Sequence, residues 1–94
     1  MTIIERQPSI EPCEEAGWTA FDLKLSRALS KEEIPAFRAL GNLVFLSQLR
    51  QPFFKVQSAH FTMRGFAGSD TVRVGVDRDC LEEMERIEGI IEAI

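Results

Sequence analysis

The chain alternates apolar and polar residues in stretches that are typical of strands with one buried face. We predict one antiparallel sheet with strands over residues 18–29, 53–66 and 70–77, and the last two are joined as a hairpin through a glycine-containing turn. Within the long middle segment the apolar residues change parity near Gln57, which predicts a bulge there. The apolar residues that define the buried faces are Phe21, Leu23, Leu25, Ala59, Phe61, Met63, Val72, Val74 and Val76.

Apolar residues recur at helical spacing in two further segments, near residues 31–50 and 79–94, and each segment begins with the sequence of a capping box. In the first of these, Ser30 and Glu33 form the box, and Pro35 opens the main part of the helix. The C-terminal half of this helix is apolar on more sides than one sheet can cover, so we predict a homodimer that buries the excess or extends a sheet edge across a two-fold axis. The predicted interface residues are Leu43, Phe45, Leu46 and Leu49.

The element order β-α-β-β-α resembles the ferredoxin-like arrangement over residues 18–94. This resemblance implies an α+β fold, an open-faced sandwich in which both helices lie on one face of an antiparallel sheet. The closing strand of that arrangement is missing, and either an extended N-terminal arm over residues 1–16 or a partner subunit would supply it. We therefore expect this arm, as a candidate edge strand, followed by a single α+β domain over residues 17–94.

Composition and charge limit the function classes. With 94 residues and 45% apolar composition, the chain fits one small globular domain. No apolar run is long enough to span a membrane, and the first residues lack the pattern of a secretory signal, so we expect a cytoplasmic protein without membrane contact. The net charge of −4 is uneven, because residues 17–76 carry a net charge of +4 between two acidic ends. A basic segment of this kind is compatible with a binding face.

The sheet face turned away from the predicted helices is the candidate site. Alternation places cationic groups, hydroxyls and the single histidine there, around Gly75, which has no side chain to block a ligand. Forked arginine donors suit carboxylate or phosphate groups. We therefore predict a small non-enzymatic interaction or ligand-binding module that recognises an anionic small molecule or an acidic protein segment. The predicted ligand-binding residues are Lys24, His60, Thr62, Arg64, Thr71 and Arg73.

The alternative function is a small cofactor-free dimeric cavity enzyme of ferredoxin-like type, with His60 as general base. No nucleophile pattern or phosphate loop accompanies this histidine, so we assign no catalytic residue and expect no cofactor. Nucleic acid is not expected, because the predicted open face lacks an aromatic pair at its strand centres and the net charge repels a polyanion. Cys13 and Cys80 are far apart in sequence and only one histidine is present, so we predict no metal site.

Overall fold

The computed structural model describes residues 1–10 and 16–94. Its strands are β1 (Ile3–Pro8), β2 (Trp18–Leu25), β3 (Asn42–Leu46), β4 (Phe53–Gln57), β5 (Phe61–Phe66) and β6 (Thr71–Asp77). Its helical segments are a first 3-10 helix (Ile34–Ala39), a second 3-10 helix (Arg78–Cys80) and α1 (Glu83–Glu92). The six strands form one antiparallel sheet in the order β1-β2-β6-β5-β4-β3, so β1 and β3 are its two edges.

The predicted fold class, an α+β open-faced sandwich with the ferredoxin-like order β-α-β-β-α, is wrong. Over the residues described, the fold is mostly β, and its only α-helix is α1 near the C-terminus. The strands predicted over residues 18–29 and 70–77 are confirmed as β2 and β6, although β2 ends earlier, at Leu25. None of the helices described is both long enough and apolar enough to cross a bilayer.

The segment predicted as the first helix forms a short 3-10 helix, a turn at Gly41 and the edge strand β3 instead. Pro35 stands at the start of this 3-10 helix, which has no side-chain cap. Gly41 passes so close to β4 that a Cβ there would be 2.5 Å from the carbonyl oxygen of Gln57. Beyond this contact, half-buried Leu43 and Phe45 alternate with exposed residues, as in a strand with one buried face.

The single strand predicted over residues 53–66 is two strands, β4 and β5, joined by a tight turn. Across this turn the backbone amide of Ser58 donates a hydrogen bond of 2.9 Å to the carbonyl oxygen of Phe61. Val56 consequently lies opposite Met63 in the sheet. The change of parity near Gln57 therefore marks a reversal of the chain, and the predicted bulge is wrong.

One face of the sheet is covered by the helical segments and forms the core with them. The rings of Phe37, in the first 3-10 helix, and Phe54, in β4, lie 5.2 Å apart. Arg86 of α1 donates hydrogen bonds of 3.1 and 3.2 Å to the carbonyl oxygens of Ala39 and Leu40, which ties α1 to the end of the first 3-10 helix. The buried residues of the core are Leu23, Leu25, Leu29, Ile34, Phe37, Leu40, Phe54, Val56, Phe61, Met63, Val72, Val74, Val76, Met84, Ile87 and Ile91.

The loop between β2 and the first 3-10 helix is held by Glu33. Its carboxylate accepts hydrogen bonds of 2.7 and 2.5 Å from the Arg27 guanidinium and one of 2.8 Å from the backbone amide of Ser30. The Ser30 contact is the one that the predicted capping box requires of its glutamate. These hydrogen bonds, above all those from Arg27, lower the pKa of Glu33 to about 2.

Candidate functional site

The pairing register determines which side chains lie on the face of the sheet that is turned away from the core, here called the open face. Residues directly opposite each other on neighbouring strands share a face. Val74 lies opposite Met63 and both are buried in the core, so the residues next to them along each strand lie on the open face. The open-face residues of β2 to β6 include Asp22, Lys24, Asn42, Val44, Leu46, Phe53, Lys55, Gln57, Thr62, Arg64, Phe66, Thr71, Arg73 and Gly75.

Three cations lie side by side on adjacent strands of the open face. Arg73 of β6 lies opposite Arg64 of β5, which lies opposite Lys55 of β4. We call these three residues the cationic row. Neighbouring strands are about 4.8 Å apart, so the row is about 10 Å long. Like charges directly opposite each other destabilise a sheet, so the row has no obvious benefit for folding.

The two ends of the cationic row have different surroundings. Arg73 is half-buried, lies opposite Asp22 of β2 and donates a hydrogen bond to the hydroxyl of Ser9. Arg64 is exposed and Lys55 is half-buried, and neither forms an ion pair with another described residue. Within residues 1–10 and 16–94, the positive charge that lacks a counter-charge is therefore at Arg64 and Lys55.

A group of apolar side chains adjoins the cationic row on the same strands. Leu46, Phe53 and Phe66 lie in one line across β3, β4 and β5, and Val44 lies next to Lys55. We call Val44, Leu46, Phe53 and Phe66 the apolar patch. The rings of Phe53 and Phe66 are 5.4 Å apart and tilted by 60°, and Val44, Leu46 and Phe66 are each at least 40% exposed. Cations beside exposed apolar groups suit a ligand that carries both negative and apolar groups.

Most of the predicted ligand-binding residues lie on the open face, but they do not form one site. Lys24 is engaged in an ion pair of 2.5 Å with Asp70, and the Thr71 hydroxyl donates to the same carboxylate. The hydrogen bond from Lys24 is the main reason that the pKa of Asp70 is lowered. Thr62 lies opposite Gly75, beside the cationic row. The predicted residues on the open face are Lys24, Thr62, Arg64, Thr71 and Arg73.

His60 lies outside the regular sheet, in the exposed turn before β5. The ferredoxin-like fold that the cavity-enzyme alternative assumed is wrong, whereas the role of His60 as a general base stays a prediction.

The four residues predicted at a dimer interface are not on a helix. Leu43 and Phe45 belong to β3 and are half-buried against the core, Leu46 belongs to the apolar patch, and Leu49 is 49% exposed in the loop before β4. Contact with a second copy of the chain stays a prediction.

Lys55 and the phenylalanines of the apolar patch were missed from the sequence. The change of parity near Gln57 places Phe53 and Lys55 on the face of Arg64, whether the chain bulges or reverses there. Within residues 53–66, the predicted site counted only the residues that follow this change, and so Phe53 and Lys55 were left out.

Comparison with known proteins found no matching family model, no matching curated protein and no matching solved structure.

Proposed function

We propose that the protein is a small non-enzymatic interaction module whose open face binds an acidic segment of a partner protein. The cationic row carries this proposal, because Arg64 and Lys55 lie opposite each other without a counter-charge among the described residues. Carboxylates of a ligand would relieve that repulsion and accept charge-assisted hydrogen bonds. We also propose that the module acts in the cytoplasm, since two widely spaced cysteines are not the disulfide framework of a secreted domain.

The apolar patch favours a protein segment over other anionic ligands. Small molecules bind mainly in concave pockets, whereas the cationic row and the patch lie on a sheet face. Phe53 and Phe66 are tilted by 60° against each other, so they do not offer two parallel ring faces for stacked bases. The net charge of −4 also repels a polyanion. A segment that combines acidic side chains with one or two apolar ones matches both surfaces.

The proposal includes a homodimer that forms through the outer edge of β3. Natural edge strands are usually protected from pairing by charges, proline or bulges. β1 has all three features, with Pro8, the charged Glu5 and Arg6, and an irregular register after Ile3. β3 has none of them, because residues Asn42–Leu46 are uncharged and pair regularly with β4. We infer that β3 of a second copy pairs with this unprotected edge.

Binding of a fluorescein-labelled peptide that alternates glutamate with leucine tests the open-face proposal. We expect saturable binding by fluorescence anisotropy, and a loss of about tenfold in Arg64→Gln, equivalent to the roughly 1.4 kcal/mol of a charge-assisted hydrogen bond. Arg38→Gln is the matched control, since it removes the same charge from an exposed residue of the first 3-10 helix. A peptide with glutamine in place of glutamate should not bind.

Two results would overturn the proposal. One is an equal loss of affinity for the peptide in Arg38→Gln and Arg64→Gln, which would show that the peptide is attracted non-specifically by positive charge and does not bind at the cationic row. The other is tighter binding of single-stranded oligouridylate than of the acidic peptide, which would assign the face to nucleic acid.

A further inference from the structure

Beyond the cationic row and the apolar patch, three metal-ligating side chains of different chemical types meet at one end of the sheet. His60 lies in the turn between β4 and β5, Asp77 is the last residue of β6, and Cys80 ends the second 3-10 helix. A ligand atom of each residue, namely an imidazole nitrogen, a carboxylate oxygen and the thiol sulfur, lies within 4.8 Å of the others. We call these residues the three-ligand cluster.

Backbone hydrogen bonds hold the three-ligand cluster together. The backbone amide of Asp77 donates a hydrogen bond of 2.9 Å to the carbonyl oxygen of His60, which fixes the turn against the end of β6. One carboxylate oxygen of Asp77 accepts a hydrogen bond of 2.9 Å from the backbone amide of Asp79 and so caps the 3-10 helix that carries Cys80. The positions of His60 and Cys80 relative to Asp77 are therefore set by the main chain, which lowers the cost of gathering the ligands around an ion.

The donor types of the cluster indicate which metal it suits. Zn²⁺ takes imidazole nitrogen, thiolate sulfur and carboxylate oxygen in tetrahedral sites, at about 2.0–2.3 Å. Ligand atoms at those bond lengths are about 3.5 Å apart, so side-chain movements of about 1 Å would bring the cluster around one ion. Mg²⁺ and Ca²⁺ prefer oxygen ligands only. We propose that His60, Asp77 and Cys80 bind Zn²⁺, with the fourth position open to water or to a donor from a partner.

The charges around the cluster favour a cation. Cys80 is a free, half-buried thiol. The carboxylates of Asp77, Asp79, Glu82 and Glu83 lie near enough to this thiol to act on it electrostatically. The negative potential that they create attracts a divalent cation to this point.

Titration of the reduced full chain with Co²⁺ tests the proposal, since Co²⁺ replaces Zn²⁺ in tetrahedral sites and has visible absorption. We expect a thiolate-to-cobalt charge-transfer band that is lost in Cys80→Ser, and an affinity at least about tenfold weaker in His60→Gln and Asp77→Asn. The single tryptophan, Trp18, lies opposite Asp77 in the sheet, so bound Co²⁺ should quench its fluorescence. Asp79→Asn is the matched control, because it removes a neighbouring charge without removing a proposed ligand.

Thermal unfolding with Zn²⁺ provides a second measurement that does not depend on visible absorption. Zn²⁺ should raise the Tm of the wild-type chain by several degrees at concentrations well above its Kd, and this rise should vanish in Cys80→Ser and His60→Gln. His60 is exposed, so His60→Gln tests the site even if the cysteine variant folds poorly. The proposal is overturned if no charge-transfer band forms, if the band survives Cys80→Ser, or if Asp79→Asn weakens Co²⁺ binding as much as Asp77→Asn does.

Discussion

Gly41 and Gly89 provide a matched pair of glycine-to-alanine substitutions for which the structure predicts opposite effects on stability. A Cβ at Gly41 would lie 2.5 Å from the carbonyl oxygen of Gln57, whereas a Cβ at Gly89 in α1 would have nothing within 4 Å. Neither glycine has a positive φ, so alanine is compatible with both backbone conformations. The difference between the two variants therefore measures the close approach of Gly41 to β4.

The loss of stability expected for Gly41→Ala follows from how far the Gln57 carbonyl must move to make room for the added methyl group. Ordinary contacts of a Cβ begin near 3.4 Å, so the Gln57 carbonyl must retreat by roughly 0.9 Å. That carbonyl belongs to the main chain of β4, which is paired on both sides with Asn42 and Thr62 and cannot move alone. Overpacking of this kind destabilises the folded state by about 1–3 kcal/mol, and the reduced conformational entropy of the unfolded chain offsets about 0.4–1 kcal/mol of that loss. Gly41→Ala should therefore lower the free energy of unfolding by about 1–2 kcal/mol.

Gly89→Ala should act in the opposite direction. Glycine within a helix is less stable than alanine by about 0.5–1 kcal/mol, and nothing in the structure obstructs the added methyl group. In a domain of this size 1 kcal/mol corresponds to about 4–8 °C in Tm. We expect a Tm lower by roughly 4–16 °C for Gly41→Ala and higher by a few degrees for Gly89→Ala.

Urea unfolding, followed by far-UV circular dichroism and by Trp18 fluorescence, measures both changes. The two probes should give coincident transitions with an unchanged m-value, so that a shift of the midpoint reports stability alone. If Gly41→Ala proves as stable as the wild-type chain while Gly89→Ala is stabilised, the packing of the Gly41 turn against β4 is refuted.

Two further predictions concern the Glu33 loop and the β3 edge. The pKa of Glu33 is lowered to about 2 from an ordinary 4.5, so the contribution of its hydrogen bonds with Arg27 is fully present above pH 4.5 and is lost as the pH falls toward 2. Since Arg27 is 49% exposed, we expect Glu33→Gln to lower the free energy of unfolding by only about 1 kcal/mol at pH 7 and by nothing near pH 2. Urea unfolding of both proteins across this pH range measures the effect, and a difference in stability that stays constant at all pH values would contradict the prediction. Val44→Lys should convert the dimer to a monomer in sedimentation velocity while Val44→Thr leaves it intact, because a lysine protects an edge strand from pairing. A monomeric wild-type chain at high micromolar concentration would remove the dimer from the proposal.

The sequence was a good guide where one local pattern had one structural solution. β2 and β6 were predictable because their apolar residues alternate without interruption, and the same parity assigned Arg64 and Arg73 to the open face. The final helix was predictable for a similar reason, since Met84, Ile87 and Ile91 form its buried stripe. The first residue of this helix was not predictable, because the side chain of Asp77 caps a 3-10 turn before α1 begins.

The sequence was a poor guide where one apolar segment suits two structures. Phe37, Leu40 and Val44 are spaced for a helix, but the unbroken apolar run over residues 43–46 equally suits a strand. The contact that decides between them joins Gly41 to Gln57, and it exists only after β4 has formed. Periodicity along the chain contains no information about such a contact. The fold class failed for this reason, since the loss of that helix also removed the ferredoxin-like order.

The three-ligand cluster was beyond sequence reasoning for a related reason. Counting cysteines and histidines leaves out carboxylate ligands, and His60 is separated from the other two residues by all of β5 and most of β6. Only the pairing of these strands, and the hydrogen bond between the backbones of Asp77 and His60, brings the turn to the end of β6.

Dimerisation through β3 would change what the open face can bind. Two antiparallel β3 strands related by a two-fold axis would place the two copies of Val44 and Leu46 in one central apolar band. Lys55 is one strand further in on each side, so the two lysines would be about 14 Å apart across that band, three strand spacings. An acidic segment that crosses the band could contact both cationic rows at once, and such a ligand binds the dimer more tightly than the monomer. Peptide binding and dimerisation must then be thermodynamically linked, so the glutamate–leucine peptide should raise the dimer fraction.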